Sequence, residues 1–421
     1  MTIKNFETYL EKYAEVVIKM GLNLNEGQKL LIGYSSLGNY TPVETAPFVR
    51  ALTRQAYKAG AKYVEVIWDD RMLKKIQLDH GSKESLEEFP VNQAKTVEEY
   101  LANGDAGMAV YGQDPDLFEG QDPEDLAFMQ KTANKYGKKI SSMVSSNFSN
   151  WNIASAPVPG WSAKVFPGLS PEEAHDKLWE AIFKACRIYE DDPVAAWKKH
   201  LSHLGARAKY LTDKQYDALK LTGPGTDLTV GLAGKHVWRG GSVEGQNGIT
   251  FTPNIPTEEV FSLPDMHRVE GTVSSTKPLL YAGNYMDEFT LTFSEGRVVD
   301  VKAKVGEENL KKIIATDENA ARIGEIALVP HGSPISQSGL VFHNILYDEN
   351  ASNHIALGRG YRMNIKDGYD MPDEEFLAAG GNVSDVHADF MIGSGKMDVD
   401  GIAKDGSVEA VMRSGEWAVE V

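Results

Sequence analysis

Short apolar runs separated by helical stripes constrain the first half of this chain more than any other feature. Lys29-Leu-Leu-Ile-Gly-Tyr34, Tyr63-Val-Glu-Val-Ile-Trp68, Gly107-Met-Ala-Val-Tyr111 and Ile140-Ser-Ser-Met-Val144 read as buried strands. Before and between them lie helical repeats. Phe6, Leu10, Tyr13, Val17 and Met20 form a stripe over residues 3–20 that stops at Gly21, and Val43, Ala46, Val49, Leu52 and Ala56 form another over 42–59. A further helix is predicted near 122–136. Strands that alternate with helices are joined by crossovers, which predicts a parallel sheet covered on both faces. Pro157-Val-Pro-Gly-Trp161 reads as a loop, and 171–189 reads as a strong helix broken at Asp191-Asp-Pro193. An α/β domain with a largely parallel sheet over residues 1–195 is the expectation.

The character changes after a helical region near 194–219 and the turn Thr222-Gly-Pro-Gly225. Asp227–Leu232, Arg268–Val273, Glu288–Phe293 and Val298–Ala303 are short, β-branched and often alternating, with turn residues such as Ser294-Glu-Gly296 between them. Short helices are expected near 306–323 and 339–348 only. Residues 196–421 are therefore expected to form an α+β, mostly antiparallel domain. A chain of 421 residues is also too long for one small core, which fits two domains.

Composition excludes several classes of function. The formal net charge is −17 with no basic run, which argues against nucleic acid, since affinity there rests on neutralising phosphates. No stretch has the length to span a bilayer, so no membrane partner is expected. The lone Cys186 forbids an internal disulfide and a thiolate metal cluster. One thiol and no apolar run at the N-terminus point to the reducing cytoplasm. There is no His-Glu-x-x-His helix, no Gly-x-Ser-x-Gly elbow and no Gly-x-Gly-x-x-Gly after the first strand. Gly234-Lys235 and Gly395-Lys396 lack the remaining residues of a phosphate loop.

Chemistry is concentrated between Gly324 and Gly393. In His387-Ala-Asp389 the two polar side chains are two apart, so on a strand they share a face, and Val386, Ala388, Phe390 and Ile392 give apolar flanks. A buried aspartate beside a histidine requires a partner. A metal ion supplies one, and an ordinary Asp–His hydrogen bond explains the pair equally well. Glu349 and His354 bracket Asn350-Ala-Ser-Asn353, which can turn tightly. Taken alone they fit a surface loop acid and a satisfied histidine better than a site. Glu325 follows a predicted helix end at Gly324 and enters the buried run Ile326–Val329. Glu258 and Glu259 are adjacent, so one is expected to face solvent and the other inward, with nothing local to choose between them. His331 and His343 have no metal-ligand spacing.

Taken in order, Pro256-Thr-Glu-Glu-Val-Phe261, Glu270-Gly-Thr272, Gly324-Glu325, Ser333-Pro-Ile-Ser336, Asp348-Glu-Asn-Ala351, His354-Ile-Ala-Leu-Gly358 and His387-Ala-Asp-Phe-Met-Ile-Gly393 resemble the metallo-aminopeptidases of peptidase family M29. The resemblance spans essentially the whole chain and is densest over residues 250–401. It implies a metal-binding set of Glu259, Glu325, Glu349, His354, His387 and Asp389, selects Glu259 over Glu258, and gives Tyr361 the place of the active-site tyrosine. His331-Gly332 departs from it, because an acidic residue is expected there.

The implied activity is removal of the N-terminal residue from peptides with a free N-terminus, using a metal-bound hydroxide at a site of two divalent ions. Carboxylates and imidazoles suit zinc, cobalt or manganese. Two ions about 3.5–4 Å apart require a bridging group, for which Glu325 and Asp389 are the candidates. Tyr361 would donate to the developing oxyanion, and Glu349 is a candidate proton shuttle. The resemblance also implies a homodimer, with the N-terminal domain shaping access. Other readings are a different two-metal hydrolase, such as an amidohydrolase or phosphoesterase, or a non-catalytic peptide-binding protein whose polar network only holds the fold.

Overall fold

The computed structural model describes residues 3–281 and 284–421. The chain divides into two compact units, Met1–His200 with Ser242–Pro256, and Leu201–Gly241 with Thr257–Val421.

The first unit is built on four parallel strands in the order Tyr63–Val66, Lys29–Ile32, Ala106–Tyr111, Trp151–Ser155. Helices Phe6–Val16, Ala46–Lys58, Val91–Ala102, Pro123–Ser145 and Pro171–Ala185 surround it. The first of these ends in a π-helical stretch, Val17–Leu22. Their apolar stripes meet in aromatic contacts: Tyr13 stacks on Phe48 with ring centroids 4.6 Å apart, and Phe6 meets Trp179 edge-on at 5.4 Å. Ser170 and Glu173 close a capping box at the start of Pro171–Ala185.

Two local expectations are corrected here. Ile140–Val144 is no strand. It forms the end of the Pro123–Ser145 helix, whose buried residues Ala133, Gly137 and Ile140 recur at helical spacing, while Ser141 and Ser142 face solvent. The fourth strand is Trp151–Ser155, where buried Asn152 interrupts the apolar signal and bonds the Thr252 carbonyl at 2.8 Å. Pro157–Trp161 is also not wholly a loop, since Pro159 opens a helix, Pro159–Val165, at a position that needs no backbone N–H.

The second unit contains a nine-stranded sheet whose strand pairs are antiparallel and a five-stranded antiparallel sheet. The strand order of the smaller sheet is His387–Met391, His354–Gly358, Ile323–Leu328, Val260–Ser262, Arg239–Gly240. The helix expected over 306–323 covers only Glu307–Ile314, and that expected near 339–348 only Ile345–Asp348. Gly324 is therefore no helix end; it is the second residue of a strand. A side chain there would meet the Gly358 carbonyl and Arg359 backbone within 2.4 Å, so the close approach requires glycine.

Alternation gives the five-stranded sheet two unlike faces. Val260, Ile326, Leu328, Ile355, Leu357, Ala388 and Phe390 point into the main hydrophobic core. The intervening residues of the same strands form the candidate site. No helix among the described residues is long and apolar enough to cross a membrane.

Candidate metal centre

Strand register assembles the site. Glu325 and Asp389 both lie opposite Ala356, one on each side of the His354–Gly358 strand. His354 is two residues from Ala356 and so shares its face, and His387 is opposite Gly358 and two from Asp389. Glu259 directly precedes Val260, whose pairing with Leu328 turns the Glu259 side chain to the same face. The middle strand thus contributes only a methyl group and a glycine between two acids and an imidazole, which leaves room in front of the sheet.

The donor atoms fall into two overlapping groups. Glu259, Glu325 and His354 offer atoms within 4.8 Å of one another, as do Glu325, His387 and Asp389. Glu325 is common to both and uses a different oxygen for each: Oε1 lies 3.8 Å from His354 Nε2, and Oε2 lies 3.8 Å from His387 Nε2. His354 Nε2 is also 3.1 Å from Glu259 Oε2, and His387 Nε2 is 3.4 Å from Asp389 Oδ2. Glu349 belongs to neither group, although it is near enough to interact electrostatically with Glu259, Asp389 and Glu325.

Both imidazoles are oriented from behind by the backbone. His354 Nδ1 lies 3.1 Å from the Ser352 carbonyl, and His387 Nδ1 lies 2.7 Å from the Arg359 carbonyl. A carbonyl oxygen can only accept, so each Nδ1 carries the hydrogen and each Nε2 is presented to the carboxylates. Tyr361 adds a hydroxyl 3.3 Å from His387 Nε2. These carbonyls left no trace in the sequence, since every residue has one. The asparagines of the Glu349–His354 turn are structural: Asn353 Oδ1 accepts from Val329 N at 2.8 Å, and Asn350 Oδ1 accepts from Glu258 N at 2.7 Å.

The electrostatics of the cluster ask for positive charge. Burial pushes the Glu325 carboxyl up to about 7, with neighbouring Asp389 and Glu259 adding to the effect of burial and His354 opposing it. Burial also holds Glu349 well above the carboxylate range, helped by Glu259 and Asp389. For His354, burial disfavours the charged ring, but hydrogen bonding to Glu259 and Glu325 outweighs it and favours a positive charge. Tyr361 is raised well above its ordinary value, first by burial, and stays a hydroxyl donor. Glu259 Oε2, Glu325 Oε2 and Asp389 Oδ1 are buried without a well-aligned hydrogen bond, even though imidazole nitrogens lie close to the first two. Orphaned carboxylate oxygens converging with two Nε2 atoms fit divalent cations, which satisfy such atoms together.

The neighbours separate cleanly. Glu258 and Glu259 are both buried, at 2% and 9% exposure, so neither faces solvent as expected. Glu258 is paired electrostatically with half-buried Arg207, while Glu259 points to the cluster. His331 bonds the Ser336 hydroxyl through Nδ1 at 3.0 Å and takes no part in either group. Where the sequence lacks an acid at Gly332, Glu416 supplies one in space, accepting from Gly332 N at 2.5 Å.

Comparison with known proteins agrees with this chemistry. Residues 6–417 match the family model described as thermophilic metalloprotease (M29). The chain is 45% identical over 419 residues to Aminopeptidase 2 of Geobacillus stearothermophilus, covering 100% of both chains. It is 44% identical to Aminopeptidase AmpS of Bacillus subtilis (strain 168), over 98% of this chain and 99% of that one. The solved structure of wild-type AmpT from Thermus thermophilus superposes with a TM-score of 0.92 at 41% identity, covering 98% of this chain and 100% of the other.

Proposed function

The chain belongs to the thermophilic metalloprotease family M29 and is a metallo-aminopeptidase, and from that premise we propose that the cluster holds two divalent cations and releases the N-terminal residue of peptides. The observation that carries the two-cation reading is Glu325, whose two oxygens face different histidines. In this reading Glu325 would be shared between the two ions, Glu259 and His354 would hold one, and His387 and Asp389 the other, since Asp389 belongs to the second group alone. Carboxylate and imidazole donors favour zinc, cobalt or manganese. Bound there, such ions activate a water at neutral pH and polarise a carbonyl.

The chain's own residues complete the reaction. Tyr361, kept protonated, donates to the oxygen of the scissile carbonyl as negative charge develops on it. Glu349, outside both donor groups, takes a proton from the attacking water and passes it to the leaving amine. The acids around the site favour the ammonium of an unblocked peptide and reject a neutral, bulkier acylated end. The homodimer implied by the family resemblance and the cytoplasmic compartment suggested by the lone, buried Cys186 belong to the same reading; light scattering of the pure protein tests the dimer.

The test compares one peptide with free and acetylated N-termini, following products by mass. Loss of a charge-assisted contact alone slows the blocked peptide roughly 10- to 150-fold. The free peptide should shorten one residue at a time from its N-terminus. Equal cleavage of the acetylated peptide, or internal fragments appearing first, would refute the proposal.

A further inference from the structure

The strand that carries two of the site's donors continues past them. Alternate side chains of His387-Ala-Asp-Phe-Met391 share a face, so Met391 stands in line with His387 and Asp389, and the register sets it opposite His354. Beside Asp389 a cavity of about 50 Å³ opens. Asp389 and Met391 line one part of it, and Leu279, Leu280, Val341 and Ile345 line much of the rest. Such a volume holds roughly four waters, at ~10–15 Å³ each, and equally the few carbons of an aliphatic side chain. Leu280, Ile345 and Tyr285 are large apolar residues left exposed around it, and a cluster of that kind marks a place where something apolar docks.

The polar groups in the wall are already committed. Asp348 accepts from Phe342 N at 2.8 Å through one oxygen and from Asn344 N at 3.0 Å through the other. Asn344 Oδ1 accepts from Leu346 N at 3.2 Å, and His343 is engaged as well. These bonds hold residues 341–345 in shape before any ligand arrives, and they tie Asp348 to the backbone instead of offering it to a cationic side chain. Asp389, the other acid in the wall, belongs to the metal centre. Ile345 also opens the helical stretch that reaches Glu349 one turn later, so these two side chains turn to the same side. The cavity thus shares Asp389 with the cation site and a helix with the proton shuttle.

We propose that this cavity receives the side chain of the residue being released and selects an aliphatic one, leucine or methionine. The inference rests on the aminopeptidase reading above. There the amine and the carbonyl of the first residue both approach the cations, and its side chain leaves the carbon between them. A pocket for that side chain must begin within a few bond lengths of the cations, and this one begins at Asp389. An aspartate placed in it would meet Asp389 with no counter-charge of its own. An indole exceeds the volume, and the methyl group of alanine would leave most of the apolar wall uncovered.

Rates of the metal-loaded, full-length enzyme on tripeptides that differ only in the first residue, followed by two glycines, test this. Leucine and methionine should exceed alanine, aspartate and tryptophan in kcat/KM by about tenfold or more, the low end of what a hydrophobic pocket discriminates. Ile345→Trp narrows the cavity from its exposed side, and should slow the leucine peptide about tenfold while leaving the alanine peptide within a few-fold. Met391→Ala widens the cavity and should raise tryptophan relative to leucine. Met391 is buried, so Ile345→Trp decides the matter if that variant fails to fold. A panel without preference, a best substrate with a charged or aromatic first residue, or variants that leave the ranking unchanged would overturn the pocket while N-terminal release stands. So would a shift confined to the second residue of leucine-led peptides, which would give the cavity to that residue. No N-terminal release from any peptide would instead refute the aminopeptidase reading, and this inference with it.

Discussion

Glu325 sits where the demands of folding and of chemistry diverge most. A carboxylate buried among other acids is costly unless a cation is present, and its upward shift to about 7 expresses that cost. Glu325→Gln and Asp389→Asn should keep the fold and lose turnover together with metal, because an amide cannot bind cations as a carboxylate does; circular dichroism, metal analysis and rate on the same preparations check this. Full rate at full occupancy in either variant would remove that residue from the site. Tyr361→Phe should keep its metal and lose turnover by roughly 10²–10³, as for one oxyanion donor. The pH dependence follows with a definite sign. The folded pKa values of Glu325, Glu349 and His354 all lie above their ordinary values, so the metal-free protein binds more protons folded than unfolded. The stability these groups contribute should be fully present below pH 4.5 and fall as pH rises, for Glu325 through about 7. Thermal melts of chelated protein from pH 5 to 8 should show a falling Tm that added metal abolishes; a rising Tm would contradict the electrostatics. At this scale the sequence was partly legible. The residue types of a metal site stood out, but choosing Glu259 over Glu258 needed the ordered motifs, because both are buried and only tertiary placement sends one to Arg207 and the other to the cluster.

Strand alternation converts scattered residues into a site. The period of two in His387-Ala-Asp389 could be read directly, since a five-residue strand with apolar flanks admits one assignment of faces. Glu325 was harder: its strand begins at Ile323, and a register shift between Ile323 and Glu325 disguises the alternation. Ile140–Val144 failed for the opposite reason, because a short apolar run looks the same on a helix face as in a strand. Ala356 tests the geometry of the element. It lies directly opposite both Glu325 and Asp389, so Ala356→Val places two more methyl groups between the carboxylates. The variant should fold, since valine suits a strand, and should show lower metal occupancy and at least tenfold lower turnover. A fully active variant would mean that the cations lie away from this sheet face. Gly358 on the same strand has φ +91° and a side chain there would lie 2.2 Å from the Val386 carbonyl, so substitution would report backbone strain instead of site occupancy.

In the whole molecule, a parallel α/β sheet and a mostly antiparallel α+β unit were both foreseeable from periodicity, because long alternating patterns survive local misreadings. The return of Ser242–Pro256 to the first unit was not. It is held by contacts such as Asn152 to Thr252 and Asn23 to Thr250, between residues far apart in the chain and with no local signature. The proposed cations would make the converging acids Glu259, Glu325 and Asp389 of the five-stranded sheet tolerable where they are. That is the central claim, and counting metal on one preparation while its activity is restored tests it most directly. Protein stripped with chelator and titrated with zinc, cobalt or manganese should regain turnover as it takes up two ions per chain, with Glu325→Gln taking up fewer and regaining none. Stripped protein that keeps full aminopeptidase activity, or full activity reached with no stoichiometric metal bound, would contradict it.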